Sequence, residues 1–135
     1  MAFTGTWVQT SAENADGVLR YVGMPVEQIK EMTSLPVTVE LKQDGDNFFE
    51  KFTVGTNVMD VFFHVGKESL IPLITGGEVK TVPRYDGPNK TVAEYDHKGV
   101  HYYGYRELLS PTEFVDHMDL DHGKCITRYF FTKQA

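Results

Sequence analysis

Two arginines, Arg106 and Arg128, lie in late segments whose residues alternate between apolar and polar. The alternation groups Arg106 with Tyr102 and, in the last segment, Arg128 with Phe130. A guanidinium keeps its proton when it is buried, so an inward-facing arginine needs an anionic or strongly polar partner. A small molecule with an acidic head and an apolar tail would supply that partner and also cover apolar side chains. An outward, solvated orientation of both arginines is equally compatible with the periodicity.

Large apolar side chains in other segments are candidates for the wall of a ligand cavity. They are Met59, Phe62, Met118 and Leu120. A shift of the strand pairing by one residue would exchange Phe62 and Phe63 between the inward and outward faces, and the pattern does not fix this register. Together with the two arginines, these residues predict an internal site for an amphipathic molecule.

Residues of the types that bind metals cluster near the last predicted hairpin: His117, Asp119, Asp121, His122 and Cys125. The strand face opposite Met118 should be exposed to solvent, and such outer faces are commonly polar. We therefore predict no metal site.

Motifs for nucleophilic catalysis and phosphate binding are missing from the sequence. It has no Gly-x-Ser-x-Gly elbow, no phosphate loop and no Cys-x-x-Cys pair. The lone Cys125 is predicted to lie on an outward strand face and to be unreactive. These observations predict a protein that is not an enzyme and needs no cofactor.

Helical signals are confined to residues 14–33, where two short helices are predicted. Val18 and Leu19 begin an apolar helical face, and Gly23 marks its end. Pro25 opens the second helix, and Ser11 or Asn14 is expected to cap the first. Each helix is too short to be stable unless it packs against other elements.

Everything after Pro36 reads as short strands separated by turns such as Asp44-Gly45-Asp46. With the opening segment, the strands are predicted at 5–10, 37–42, 48–54, 57–65, 69–74, 78–85, 90–96, 100–109, 113–121 and 124–132. Many short antiparallel strands favour a closed up-and-down β-barrel, since closure removes exposed edges. A ten-stranded barrel is too wide for side chains alone to fill, so a ligand cavity is expected. The fold class is therefore all-β, with one domain over 1–135 and residues 14–33 as a helical lid.

The composition of the chain limits the classes of binding partner and the cellular compartment that we expect. The net charge of −6 argues against nucleic acid, and no apolar run approaches the ~20 residues of a membrane span. The start of the chain lacks the features of a secretory signal, and a single cysteine forms no internal disulfide. We expect a cytoplasmic monomer, with entry into the nucleus and transient contact between the lid and membranes left open.

Several segments resemble the intracellular lipid-binding, or fatty acid-binding, protein family. Phe3-Thr4-Gly5-Thr6-Trp7 is similar to its opening Phe-x-Gly-x-Trp signature, and Phe63 to Glu68 is similar to its Phe-x-x-Gly-x-Glu turn. The order and spacing of such matches extend over essentially the whole chain. Two segments are more similar to the liver and ileal bile-acid-binding branch of the family: Ala2 to Trp7 and Val65 to Ser69.

The resemblance implies a ten-stranded barrel capped by a helix pair, also called a β-clam. It also implies a ligand carboxylate held by two arginines and by the tyrosine of an Arg-x-Tyr motif. By position Arg106 and Arg128 correspond to the arginines, but Phe130 stands at the tyrosine. Tyr129 is expected on the opposite face, so Tyr102 is the candidate that could compensate.

The resemblance also implies an entrance near the first helix, where Ala15 replaces a phenylalanine common in the family. This entrance is expected to be roomy and lined by Val18, Leu19 and Val22, with residues around Val58.

The predicted function is non-enzymatic binding and transport of long-chain fatty acids or similar amphipathic lipids. Binding of bile acids, sterols or retinoid-like molecules is the alternative within the same class. A protein-interaction module that uses the aromatic exterior stripe of His101, Tyr103 and Tyr105 is the alternative from another class.

Overall fold

The computed structural model describes residues 2–73 and 75–134, which form two short helices and a set of antiparallel strands. The chain opens with β1 (Gly5–Glu13), α1 (Gly17–Tyr21) and α2 (Val26–Ser34). The strands that follow are β2 (Val37–Asp44), β3 (Asn47–Val54), β4 (Asn57–His64), β5 (Ser69–Pro72), β6 (Glu78–Thr81), β7 (Arg84–Tyr85), β8 (Lys90–His97), β9 (Val100–Ser110), β10 (Glu113–Leu120) and β11 (Cys125–Lys133).

Nine of these strands form one curled sheet in the order β4-β3-β2-β1-β11-β10-β9-β8-β7, and β5 and β6 form a separate pair. The small pair is joined to the large sheet by the Thr81 hydroxyl, which donates to the Glu94 carbonyl oxygen at 2.7 Å. Within residues 2–73 and 75–134, no ladder joins β4 to β5. The predicted barrel with a helical cap is confirmed as fold class, although the ring of backbone hydrogen bonds is open at this point.

One predicted strand, 78–85, is wrong as a single element. The structure divides it into β6 and β7, which Val82 and Pro83 separate. Proline has no backbone N–H to donate to a ladder, so it interrupts regular pairing. The predicted strand 69–74 ends earlier, at Pro72, and residue 74 lies outside the described residues.

The main hydrophobic core closes one end of the barrel. It contains Phe3, Trp7, Val39, Leu41, Phe48, Val65, Phe114 and Phe131. The Trp7 indole N–H donates to the Phe3 carbonyl oxygen at 3.0 Å, which satisfies the polar atom of a fully buried ring. Phe3 and Trp7, the two aromatic residues of the opening Phe-x-Gly-x-Trp segment, are therefore core residues.

The helices cover the other end of the barrel and have a small core of their own. Leu19, Met24 and Ile29 are buried together, with Met32 packed against them. Gly23 ends the first helix with a φ of 87°, a conformation that glycine adopts without strain. No helix in the described ranges is long and apolar enough to span a membrane.

The predicted cap of the first helix is wrong. Ser11 lies in β1, and Asp16 is at the N-cap position of α1 without a side-chain hydrogen bond. Asn14 instead has a positive φ of 54°, and its side-chain amide donates to the Ile126 carbonyl oxygen at 2.9 Å. Asn14 therefore attaches the start of the lid to β11.

Candidate functional site

An internal cavity of about 400 Å³ lies between the core end and the helical lid. Its size falls within the ~300–1,000 Å³ typical of small-molecule sites. The lining is predominantly apolar and includes six of the predicted site residues: Val18, Leu19, Met59, Tyr102, Arg106 and Met118. The cavity can therefore shield an apolar molecule of moderate size from water.

Four other predicted site residues do not line the cavity. Phe62 is 51% exposed and stacks on Phe49 outside the barrel; its neighbour Phe63 lines the cavity instead. Leu120 is fully buried but belongs to the packing around the cavity rather than to its lining. The other two, Arg128 and Phe130, lie in the last strand. Val58, expected near the entrance, is 53% exposed and is not a lining residue.

The predicted orientation of the last strand is wrong. In the antiparallel pairing of β10 with β11, the cavity-lining Asp116 lies opposite Tyr129, and Phe114 lies opposite Phe131. Tyr129 and Phe131 therefore face inward, and Arg128 faces outward with 38% of its side chain exposed and Glu13 at 3.8 Å. Cys125 shares the inward side of the alternation with Tyr129, contrary to the prediction. Both faces of this strand carry apolar residues, so alternation alone could not separate inside from outside.

The inward residues of β11 beside the lid are consequently Thr127 and Tyr129, in place of the predicted Arg128 and Phe130. Thr127 is completely buried; its hydroxyl donates to the Asn14 carbonyl oxygen at 2.8 Å and accepts from the Val18 N–H at 3.2 Å. The Tyr129 hydroxyl donates to the Ala15 carbonyl oxygen at 3.0 Å. Both side chains thus bind the backbone at the start of the lid.

Arg106 lies inside the barrel between two carboxylates. Its Nε and Nη2 donate to the two carboxylate oxygens of Asp116 at 2.6 and 2.8 Å, and its Nη1 donates to Glu50 at 2.9 Å. The guanidinium carbon also lies 4.7 Å from the Phe114 ring centroid. We call Glu50, Arg106 and Asp116 the inner polar cluster.

Burial and mutual attraction act in opposite directions on this cluster. Burial raises the pKa of Glu50, although the nearby Arg106 partly opposes the shift. Burial alone would lower the pKa of Arg106, but the carboxylates of Asp116 and Glu50 raise it above its usual value. Arg106 therefore remains charged, whereas burial favours the protonated form of Glu50.

The sequence carried a signal for both carboxylates that the prediction overlooked. Glu50 alternates with Phe48 and Phe52, and Asp116 alternates with Phe114 and Met118. Each acid therefore shares a strand face with core or cavity residues, as the structure confirms. An acid in the middle of an apolar face indicates an internal ion pair when an arginine is also predicted to face inward.

Comparison with known proteins connects this cavity to a family. Residues 1–104 match the model of the lipocalin / cytosolic fatty-acid binding protein family. This chain belongs to that family. The predicted resemblance is confirmed.

Over the aligned residues, about a third of the positions are identical between this family member and several relatives. The liver-type fatty acid-binding protein of Takifugu rubripes is 37% identical over 64% of this chain and 70% of that protein. Fatty acid binding protein 1-A, liver, of Danio rerio is 37% identical over 69% of this chain and 72% of that protein. Gastrotropin of Oryctolagus cuniculus is 32% identical over 70% of this chain and 74% of that protein.

Solved structures show the same fold at lower sequence identity. A Schistosoma mansoni fatty acid binding protein in complex with arachidonic acid has a TM-score of 0.87, at 17% identity, and the match covers 99% of this chain and 97% of that one. The REP1-NXSQ fatty acid transporter has a TM-score of 0.86, at 21% identity, and the match covers 98% of this chain and 96% of that one. The architecture of this family member is therefore that of the fatty acid-binding proteins.

Two tyrosines add polar atoms to the cavity of this family member. Tyr95 on β8 and Tyr102 on β9 both line it, and their rings stack with centroids 4.9 Å apart. Burial raises the pKa of Tyr95 to about 12, and burial also raises the pKa of Tyr102. Both hydroxyls therefore remain uncharged at neutral pH and can donate hydrogen bonds.

The predicted aromatic stripe is packed within itself, and Tyr105 also belongs to the cavity lining. Tyr105 stacks on His117 at 4.4 Å, and the Lys90 ammonium lies 4.1 Å from the Tyr105 ring centroid. His101 contacts Asp96 at 2.9 Å and stacks on His122. In the part of the chain that the structure describes, no group of three or more His, Cys, Asp or Glu residues is arranged to hold a metal ion.

Replacing Tyr129 by Phe should weaken the attachment of the lid. The change removes the hydrogen bond to the Ala15 carbonyl and is expected to lower the free energy of unfolding by about 1 kcal/mol. Bound lipid should also dissociate faster, since the start of the lid is held less firmly. Urea denaturation and stopped-flow release of a fluorescent lipid measure the two effects.

A matched control is Tyr103→Phe on the outer side of β9, which should change stability by less than ~0.5 kcal/mol. Equal effects of the two variants on stability and on release would show that the Tyr129 hydroxyl does not hold the lid.

Proposed function

We propose that this protein is a non-enzymatic, monomeric, single-domain carrier of the cytoplasm. It binds a long-chain fatty acid or a similar amphipathic lipid inside the barrel. The observation that carries the proposal is the largely apolar cavity of about 400 Å³ under a helical lid. The names of the relatives, and the arachidonic acid in the complex of the Schistosoma mansoni protein, support a lipid of this class.

The apolar tail supplies most of the expected affinity. Burial of a methylene group contributes about 0.8 kcal/mol, so twelve of them contribute roughly 9–10 kcal/mol before the entropic costs of binding. Micromolar binding corresponds to about 8 kcal/mol. The cavity therefore does not need a strong ionic contact with the head group to act as a carrier.

Exposed side chains on the helical lid suggest how lipid could enter the cavity. Tyr21 and Val26 lie on the helices, and their side chains are 39% and 60% exposed. We propose that these side chains contact a membrane transiently while lipid enters or leaves.

The alternative functions have less support. The comparisons do not favour a bile acid over a fatty acid as the ligand. The aromatic exterior is largely occupied by its own stacking contacts, which leaves less surface for a protein partner. We propose no metal, cofactor or nucleic acid as a partner.

Direct binding is the test of this proposal. A fluorescent fatty-acid probe should become brighter on mixing with delipidated protein, and oleic acid or oleyl alcohol at ~10 μM should displace it. Taurocholate in the same assay addresses the bile-acid alternative. If no lipid displaces the probe at tens of micromolar, the carrier function is refuted.

A further inference from the structure

The charges inside the cavity do not balance. The inner polar cluster contains two carboxylates, Glu50 and Asp116, and one guanidinium, Arg106, so its formal charge is −1. Arg106 is the one arginine or lysine among the lining residues described by the structure. The second arginine that the sequence predicted, Arg128, lies outside. With Glu50 ionised, a carboxylate entering this space meets a net negative charge; with Glu50 protonated, as burial favours, it meets a neutral cluster whose guanidinium is already paired with Asp116.

The hydrogen-bonding capacity of Arg106 is also partly used, since three of its five N–H groups donate to protein carboxylates. All three of its nitrogens donate to Asp116 or Glu50. The rings of Phe52 and Phe114 lie within 5.7 and 4.7 Å of the guanidinium carbon. A ligand carboxylate that bonded to one of the two remaining N–H groups would lie beside Asp116 or Glu50, so it would meet a protein carboxylate at close range.

Uncharged polar groups elsewhere in the cavity suit a different kind of head group. The hydroxyls of Tyr95 and Tyr102 belong to lining residues and stay protonated at neutral pH. Thr91 also lines the cavity, and its side chain is uncharged. These groups can hydrogen-bond a hydroxyl, ester or amide without adding charge to the cavity.

We infer that the cavity selects lipids with an uncharged head group, such as a long-chain alcohol or amide, over the carboxylate anion of the same chain length. The inference rests on the proposed carrier function and specifies its ligand class. A unit charge about 6 Å from a net charge of the same sign, at an effective dielectric constant of about 20, loses at least about tenfold in affinity. The tail contributes equally in both cases, so the difference comes from the head group.

The test compares oleate with oleyl alcohol at pH 8, by competition against an uncharged fluorescent lipid probe. The proteins are the parent and two charge-neutralising variants, Asp116→Asn and Glu50→Gln. Each variant leaves one carboxylate to pair with Arg106, so the cluster becomes neutral. The ratio of oleate affinity to oleyl alcohol affinity should rise about tenfold in each variant. Comparing each lipid between parent and variant removes differences in lipid solubility.

Asp60→Asn is the matched control, because it removes the same charge from an exposed position on β4. It should change neither affinity by more than about twofold. The inference is overturned if the parent binds oleate more tightly than oleyl alcohol, or if the ratio of oleate affinity to oleyl alcohol affinity stays unchanged in both neutralising variants. Glu50→Gln alone decides the outcome if Asp116→Asn does not fold. Failure of both lipids to bind the parent would instead refute the carrier function itself.

Discussion

Replacing Arg106 by Gln is expected to lower the free energy of unfolding by about 3–5 kcal/mol at pH 8. The variant would leave Glu50 and Asp116 inside the barrel without the cation that pairs with both. Glu50 is buried, so its ionised form has little access to water. The loss therefore comes mainly from the two unpaired carboxylates.

The pH dependence of the loss provides a second check. Without Arg106 the pKa of Glu50, already raised by burial, should rise further. An acid whose pKa is higher in the folded protein than in the unfolded chain takes up protons preferentially in the folded state. The stability of the variant should therefore increase relative to the parent as the pH falls from 8 towards 5. Urea denaturation at the two pH values measures this change.

Arg128→Gln is the matched control for this substitution. Arg128 is partly exposed and lies 3.8 Å from the more exposed Glu13, so its loss should change stability by less than ~0.5 kcal/mol. The triple change Glu50→Gln, Arg106→Gln, Asp116→Asn should recover most of the stability lost in the single variant. Similar losses for Arg106→Gln and Arg128→Gln would contradict the internal position of Arg106.

Replacing Gly104 by Phe should abolish most lipid binding while preserving the fold. Gly104 lines the cavity in β9, and a Cβ atom there would first meet the flexible end of Met118, 3.3 Å away. The new ring would occupy space needed by about three to four methylene groups of the ligand. At about 0.8 kcal/mol per methylene, affinity should fall roughly a hundredfold for acid and alcohol alike. Probe competition measures the loss, and circular dichroism checks the fold.

The control for this variant is Leu109→Phe in the same strand. Leu109 is exposed and does not line the cavity, so the same side chain added there should leave affinity within about twofold. If Gly104→Phe bound lipid as tightly as the parent, the ligand would not occupy this part of the cavity.

The architecture could be predicted from the sequence because its signals are local. Turn residues such as Asp44-Gly45-Asp46 end strands wherever they occur, and Gly23 ends a helix in the same way. Pro83 was also visible in the sequence, and its effect on pairing explains why the strand predicted over 78–85 is divided.

The candidate site was harder to predict because it depends on contacts between distant segments. Arg106 and Glu50 are 56 positions apart, and they meet only because β3 and β9 face each other across the barrel. In β11 both faces are apolar enough to be inside, so the orientation was decided by pairing with β10. A shift of one residue there exchanged Arg128 for Thr127 and changed the expected chemistry of the head-group site.

The attachment of the lid has a mechanical consequence. Asn14, Thr127 and Tyr129 fasten its first residues to β11, whereas the Thr33 and Ser34 hydroxyls of α2 bond only to carbonyls of α2 itself. The end of α2 is held to the barrel through the chain that continues into β2 and through Pro36, whose carbonyl oxygen accepts from the Gly55 N–H. Both ends of the lid are therefore anchored, and we expect the turn between α1 and α2 to move most when lipid enters or leaves.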